Sequence, residues 1–228
     1  MKTLYLDCSM GAAGDMLTAA LLELHPNPDA ILARLGDLNL PGVTVAAEPA
    51  ENGGVRGTHM AVTVHGESEE DDHHHHHHAT PATISHLLSH LNLPGAVRTR
   101  VQRVYDRIAK AESEAHGVPV SEIHFHEVGA LDAMADIAAV CLLMDALRPD
   151  RVVVSPICVG AGSVRCAHGV LPVPAPATAR LLTGAPIYGS DFPGELCTPT
   201  GAALLMEFAT AFGAMPPMTL EKVGVGIG

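Results

Sequence analysis

Apolar and polar positions recur along this chain in two rhythms, one of period two and one near 3.6, and the changes between them mark its elements. Thr3-Leu4-Tyr5-Leu6 predicts a short buried strand that empties into the small-residue loop Asp7-Cys8-Ser9-Met10-Gly11-Ala12-Ala13-Gly14-Asp15. Met16 to Leu24 then predicts a helix for which Asp15 is placed as a cap, and Pro26 to Leu38 a second helix. Val43 to Ala47 and Thr58 to Val64 have strand character on either side of Glu51-Asn52-Gly53-Gly54, the composition of a hairpin turn. Thr80-Pro81 offers an N-cap and a first-turn proline to a helix buried through Ile84, Leu87, Leu88 and Leu91. Past Pro94, the residues Val97, Val101, Val104, Ile108, Ala111 and Ala115 return every third or fourth position, an amphipathic stripe that Gly117 and Pro119 stop.

Leu131, Ala135, Ala138 and Leu142 predict a further helix with one apolar stripe, and Val152-Val153-Val154 a buried strand. Gly160-Ala161-Gly162-Ser163 has the composition of a tight turn before Arg165-Cys166-Ala167-His168-Gly169. Leu171-Pro172-Val173-Pro174-Ala175-Pro176 alternates proline and so predicts a stiff extended segment entering a helix over Ala177 to Leu182. Glu195 to Gly201 leads into a helix expected over Ala202 to Phe212, and Val223-Gly224-Val225-Gly226-Ile227-Gly228 ends the chain with no capping element. Taken together the elements predict an α/β fold, with α+β as the alternative: a mixed sheet flanked by helices. One domain over residues 1–228 is expected, any sub-boundary falling near 150.

Composition sharpens this picture. The chain is 47% hydrophobic but only 3% aromatic, with no Trp, so its core must be built from Ala, Leu, Val and Met. A net charge of −12 excludes the basic footprint of a nucleic-acid binder and suits a cationic ligand, metal ions included. The most apolar stretch, Ala133 to Leu147, is short and carries Asp136 and Asp145, so no membrane span is expected. Five cysteines without a C-x-x-C argue against a disulfide framework or structural zinc and for a reducing, cytoplasmic setting, as does the lack of a signal-peptide pattern in the first ten residues. Fifteen histidines stand out. Six of them, His73, His74, His75, His76, His77 and His78, follow Glu69-Glu70-Asp71-Asp72, and this composition predicts a disordered acidic and histidine loop over 66–79 that gathers nickel, copper or zinc loosely. His86, His90 and His116 are expected to be ordinary surface residues.

Chemistry concentrates in His124-Phe125-His126-Glu127-Val128-Gly129-Ala130-Leu131-Asp132-Ala133-Met134-Ala135-Asp136. In extended backbone His124 and His126 point to one side, and on a helix Asp132 and Asp136 stack on one face beside the apolar stripe. A divalent cation or basic partner would account for that acidic pair; so would an acidic first turn meeting the positive end of a helix dipole. Asp7 ends a strand, a common place for a metal-binding or phosphoryl-transfer carboxylate. Ser9, Gly11 and Gly14 before one helix, and Thr198, Thr200 and Gly201 before another, form two candidate phosphate cradles, with capping an equal explanation of the threonines. His168, held by the proline-rich segment, gains weight only from this company.

These strings resemble, in one order along nearly the whole chain, the LarC-type nickel-insertion proteins that complete the nickel-pincer cofactor of lactate racemase. The resemblance rests on Asp7 to Met16, the histidine-rich loop, His124 to Gly129, Ala167 to Thr178 and Thr198 to Ala202. It implies a CTP-dependent nickel chelatase of the lyase class that places Ni2+ in pyridinium-3,5-bisthiocarboxylic acid mononucleotide, with Mg2+ or Mn2+ assisting the nucleotide. It also implies a further C-terminal domain or partner polypeptide beyond residue 228, apo-lactate racemase as client, and an assembly of identical chains. Residue chemistry then suggests His126, Glu127 and His168 for acid–base or catalytic work. His124 and His126 would handle nickel, and Asp7, Asp132 and Asp136 would hold a divalent ion. A nickel store or metallochaperone, and a metal-dependent phosphohydrolase, are the competing expectations.

Overall fold

In a computed structural model of the chain, residues 1–68, 79–125, 128–166 and 169–228 are described. His73 to His78, His126, Glu127 and His168 lie outside the described residues. In chain order the elements begin with β1 (Thr3–Leu6), α1 (Gly14–Leu24), α2 (Pro28–Gly36), β2 (Val43–Asn52), β3 (Val55–Val64) and β4 (Glu67–Ser68). Next come α3 (Pro81–His90), α4 (Gly95–His116), α5 (Leu131–Leu147), β5 (Arg151–Val154), β6 (Ile157–Cys158), β7 (Gly160–Ala161), β8 (Ser163–Cys166) and β9 (Gly169–Pro172). The last are α6 (Pro176–Leu181), β10 (Ile187–Tyr188), β11 (Gly194–Glu195), α7 (Pro199–Phe208) and β12 (Ala211–Phe212). Helices and mixed parallel and antiparallel pairing make this the expected α/β fold. The chain divides into two compact units, one formed by Met1–Ala13, Arg103–Ile123 and Arg148–Thr219, the other by Gly14–Gln102, His124–Leu147 and Leu220–Gly228.

The first unit is organised on a parallel sheet of order β1-β5-β12. Central β5 takes the burial, which leaves β1 half-buried rather than in the core as its apolar run predicted. α7 ends at Phe208, not at Phe212: Ala209 turns extended, and Ala211 and Phe212 pair with Val153 and Val154 as a strand. Thr210 fixes this exit, because its hydroxyl accepts from the Val152 amide at 3.0 Å and donates to the Val152 carbonyl at 2.8 Å. The stretch expected to be a tight turn is also different. Gly160–Ala161 pairs antiparallel with β11, Gly162 reverses the chain with φ +80°, and β8 runs back against β9 as a hairpin.

The second unit carries a long antiparallel hairpin, ten residues in each strand. Gly53 and Gly54, at φ +59° and +82°, close it as a two-residue turn that L side chains enter only with strain. The hairpin is longer than its apolar alternation suggested because Glu48 to Asn52 and Val55 to Gly57 pair although their side chains are largely solvated. β4 continues the sheet through Thr63 and Val64, because His65 and Gly66, both with positive φ, turn the chain back onto β3; residues 69–78 of the expected loop lie outside the described residues. α1, α2 and α5 pack around the hairpin. α5 is not an amphipathic helix with a single stripe. Every residue from Ala133 to Met144 is buried, Asp136 included, as in a helix enclosed on all sides.

The closing glycine alternation has a packing cause. Thr58 donates its amide to the Val225 carbonyl and accepts from the Ile227 amide, which lays the tail against β3. A Cβ on Gly224 would stand 2.1 Å from the Ala20 carbonyl oxygen, and one on Gly226 1.9 Å from that of Met16. Met16 and Ala20 share one face of α1, and residues 224 and 226 share one side of an extended segment, so the two periods match at backbone contact distance. Among the described residues no helix is long and apolar enough to cross a membrane.

Candidate functional site

In the first unit the chain leaves β1 at Asp7, at the carboxyl end of the parallel sheet, where open α/β sheets bind ligands. Asp7 is exposed, and its Oδ1 accepts from the Ser9 amide at 3.0 Å. Cys8 points inward and is 1% exposed; its amide donates to the Ser155 hydroxyl at 2.8 Å, and its carbonyl accepts from Gly11 and Cys158. Burial, followed by the neighbouring Asp7 charge, pushes the Cys8 thiol up to about 12. Burial raises Cys197 as well, with Cys8, Glu195 and Cys158 adding to the shift. These thiols stay neutral at physiological pH, poor donors to a divalent metal. Tyr188 stands beside them on β10, opposite Cys158 in register, with its hydroxyl donating to the Ser9 carbonyl.

The two expected cradles turn out to be packed on backbone. A Cβ on Gly11, whose φ is +84°, would lie 1.8 Å from the Leu196 carbonyl oxygen, and one on Gly201 2.1 Å from that of Ala12. The Ala12 amide donates to Leu196 and the Thr198 amide to Ala12, locking the loop to the start of α7. Thr198 caps that helix, its hydroxyl accepting from the Gly201 amide at 3.1 Å, while Thr200 and Gly201 are buried. The demand for glycine at both positions is thus met by close approach of two backbone segments.

In the second unit α1 begins at Gly14, and Asp15 lies inside its first turn rather than ahead of it as a cap. There the carboxylate accepts from its own amide and that of Met16; burial nonetheless raises its pKa, the charge of His59 pulling the other way. Asp136, 7% exposed, packs against Gly14 so closely that a Cβ there would come within 2.7 Å of its Cβ and Oδ2. A carboxylate at a helix start meets the positive end of the dipole, which favours it in the anionic form. One turn earlier on α5, Asp132 is half-buried, and its Oδ1 is shielded from solvent with no hydrogen-bond partner among the described residues. His124 is exposed, whereas the neighbouring Phe125 is buried and its amide donates to the Ala79 carbonyl at 2.7 Å. Gly129 is pressed between Ala79 and Phe125, where a Cβ would meet each at 2.8 Å.

The structure therefore sets Asp136 against Gly14 with Asp132 one turn earlier on α5, and sets Asp7, Ser9 and Gly11 around the end of β1. Asp7 belongs to the first unit and His124, Asp132 and Asp136 to the second. Sequence reasoning passed over His59 and Tyr188. His59 is one polar residue in an alternating strand, yet its Nδ1 is 3.1 Å from the Ile227 carbonyl oxygen and its charge reaches Asp15.

A family model described as Nickel insertion protein matches residues 4–228. The chain belongs to the nickel insertion protein family. It is 43% identical to a pyridinium-3,5-bisthiocarboxylic acid mononucleotide nickel insertion protein of a Nocardioides species, over all of this chain and 56% of that relative. Proteins of the same name from Desulfitobacterium hafniense and Geobacillus kaustophilus are 40% and 38% identical, again over the whole chain and over 55% and 56% of their own lengths. The chain thus spans little more than half the length of the curated relatives it matches. No solved structure matches it.

Among the described residues there is no group of three or more His, Cys, Asp or Glu side chains able to hold a metal ion. Of the residues named for metal that are described, His124 offers an exposed ring nitrogen, and Asp7, Asp132 and Asp136 offer hard oxygens. Asp132, with a shielded and unpartnered Oδ1, fits an oxygen-seeking ion such as Mg2+ or Mn2+ better than it fits nickel.

Proposed function

We propose that this chain handles nickel in the insertion of Ni2+ into pyridinium-3,5-bisthiocarboxylic acid mononucleotide, a CTP-dependent lyase reaction that yields the nickel-pincer cofactor of lactate racemase. The observation that carries this reading is the family match along essentially the full chain, together with relatives of that name at about 40% identity. Chemistry sets the requirements. Forming a nickel–carbon bond on an aromatic ring releases the ring proton, so a base is needed, and His126, Glu127 and His168 are the groups we assign to that work. His124 and His126 would pass nickel, the substrate cation, to the thiolated ring, and His73 to His78 would gather it.

Magnesium or manganese would supply charge neutralisation on the CTP phosphates. Asp132 and Asp136 are the carboxylates we assign to that ion, Asp132 because of its shielded oxygen. The test is nickel loading of the organic precursor, followed by the absorbance of the nickel–thiolate product, with and without CTP. It should be run first on this chain alone and then with the remainder of a full-length relative supplied. CTP-dependent loading in either arm is expected. Loading independent of CTP in both, with metal capacity lost on deleting His73 to His78, would mark a nickel store instead. General phosphate-ester hydrolysis indifferent to the thiolated nucleotide would mark a phosphohydrolase.

A further inference from the structure

Tyr188 is the one exposed aromatic ring anchored to the Asp7–Gly11 loop by a hydrogen bond among the described residues. It lies on β10 in register with Cys158 of β6, so the two side chains share a side of that strand pair. Its hydroxyl donates to the Ser9 carbonyl at 3.4 Å, which tethers the tip of the residue. The residue is nevertheless 42% exposed. A tethered tip and a bare ring make a preformed flat surface rather than a mobile side chain.

Asp7 stands two residues before the Ser9 carbonyl that the phenol touches, and its charge bears on the phenol. Cys8 and Cys158 are buried, so the exposed charge there is that of Asp7. An electron-rich ring beside a carboxylate, at the carboxyl end of a parallel sheet, attracts a cationic aromatic ring that stacks with its anionic substituents turned away from the carboxylate. We propose that Tyr188 is the platform on which the pyridinium ring of the mononucleotide substrate stacks, with Asp7 as its counter-charge. This rests on the substrate assigned above and adds the residue that recognises the ring's positive charge.

The probes are nicotinamide mononucleotide, a pyridinium nucleotide, and its reduced form, which keeps the phosphate and ribose but has an uncharged dihydropyridine ring. Calorimetry should give a dissociation constant for the oxidised form that weakens about 5- to 30-fold in Tyr188→Leu and changes less than about threefold in Tyr188→Phe. The reduced form should bind the wild-type chain and both variants alike. The chain has no Trp, and of its three tyrosines Tyr105 is buried and Tyr5 half-buried. Quenching of tyrosine emission by the pyridinium nucleotide should therefore vanish in Tyr188→Phe while binding persists, a signature that a purely structural tyrosine would not give. Unchanged binding by Tyr188→Leu, equal losses for both nucleotides, or no binding by the wild-type chain would each overturn the platform. Nickel insertion is read separately: a wild-type chain that shows the Tyr188-dependent discrimination yet never supports insertion would refute the proposed function and leave the platform standing.

Discussion

Gly226→Ala tests whether the tail docks on α1 as the packing indicates. The added Cβ would stand 1.9 Å from the Met16 carbonyl oxygen, 2.7 Å from its carbon and 2.9 Å from its Cα. All three are helix backbone, so no rotamer change relieves the clash; either α1 shifts or the tail lifts. Lifting would break the two backbone bonds between Thr58 and the tail and free the Glu23 carboxylate from the Val225 amide. With the His59 contact to the Ile227 carbonyl, three neutral bonds near 1 kcal/mol each and a charge-assisted one of about 2 kcal/mol set a ceiling of roughly 5 kcal/mol. The released tail regains chain entropy, and overpacking costs about 1–3 kcal/mol in general, so a loss of about 2–3 kcal/mol is expected. In a chain of this length that lowers the melting temperature by roughly 4–12 °C. Gly228→Ala is the control: its Cβ would meet side-chain atoms alone, Met16 Cγ and Sδ at 3.1 Å, which can move aside, and Asp15 Oδ2 at an ordinary 3.6 Å, and it should cost under about 0.5 kcal/mol. Gly224→Ala should resemble Gly226→Ala, and the double variant should lose less than the sum because a lifted tail is lifted once. Urea unfolding of the four variants, with amide exchange at Thr58 and Ile227, measures all of this. Equal costs at 226 and 228, or strict additivity of 224 and 226, would refute the docking.

Asp132→Asn keeps shape and removes charge; Mn2+ affinity measured by electron paramagnetic resonance should fall at least about tenfold while the melting temperature holds or rises, since a shielded charge is lost. N-ethylmaleimide at pH 8 should label Cys166 first and leave Cys8, Cys141, Cys158 and Cys197 intact in the native chain, as peptide mass spectrometry would show, because only Cys166 is not buried and Cys8 is held at about 12. Asp15 titrates above its ordinary 3.8 chiefly because it is buried, so the folded state holds its proton to higher pH than the unfolded chain does. Ionised Asp15 thus costs stability: the cost is absent below about pH 3.8, grows up to the folded pKa and is constant above it. Asp15→Asn should exceed the wild-type chain in urea stability at pH 7 and equal it at pH 3, and a difference independent of pH would contradict the assignment.

Elements with a strong local signal were legible in the chain: Thr80 capping α3, the valine stripe of α4, the Gly53-Gly54 hairpin and the acidic pair on α5 all stand where the pattern put them. What was not legible depends on partners distant in sequence. Ala211-Phe212 continues a helical pattern locally and becomes a strand only because β5 offers it an open edge. Nothing in Leu131 to Leu147 says that its polar-looking face is covered, because the cover comes from α1, α2 and the hairpin. Val223 to Gly228 looked structureless because the reason for its glycines is the carbonyl spacing of a helix two hundred residues earlier. Tyr188, in a two-residue strand, offered no pattern at all.

The same contrast bears on how a nucleotide would be held. A phosphate-binding loop keeps its amides unpaired so that they can point at the ligand. Here the amides of Ser9, Gly11, Ala12, Thr198 and Gly201 already have acceptors in Asp7, Cys8, Leu196, Ala12 and Thr198. A phosphate at either loop would have to break bonds that hold β1 to α7, losing as much as it gained. A chain with a net charge of −12 also repels a triphosphate before contact. On the proposed function, both facts would turn recognition of CTP away from the amides of Ser9, Gly11 and Gly201 and toward a cation held by carboxylates, Asp132 being the described one with a shielded, unpartnered oxygen. Nucleotide affinity should then rise steeply with Mg2+ or Mn2+ and be abolished by chelation, whereas affinity that survives chelation would return the glycine loops to the mechanism.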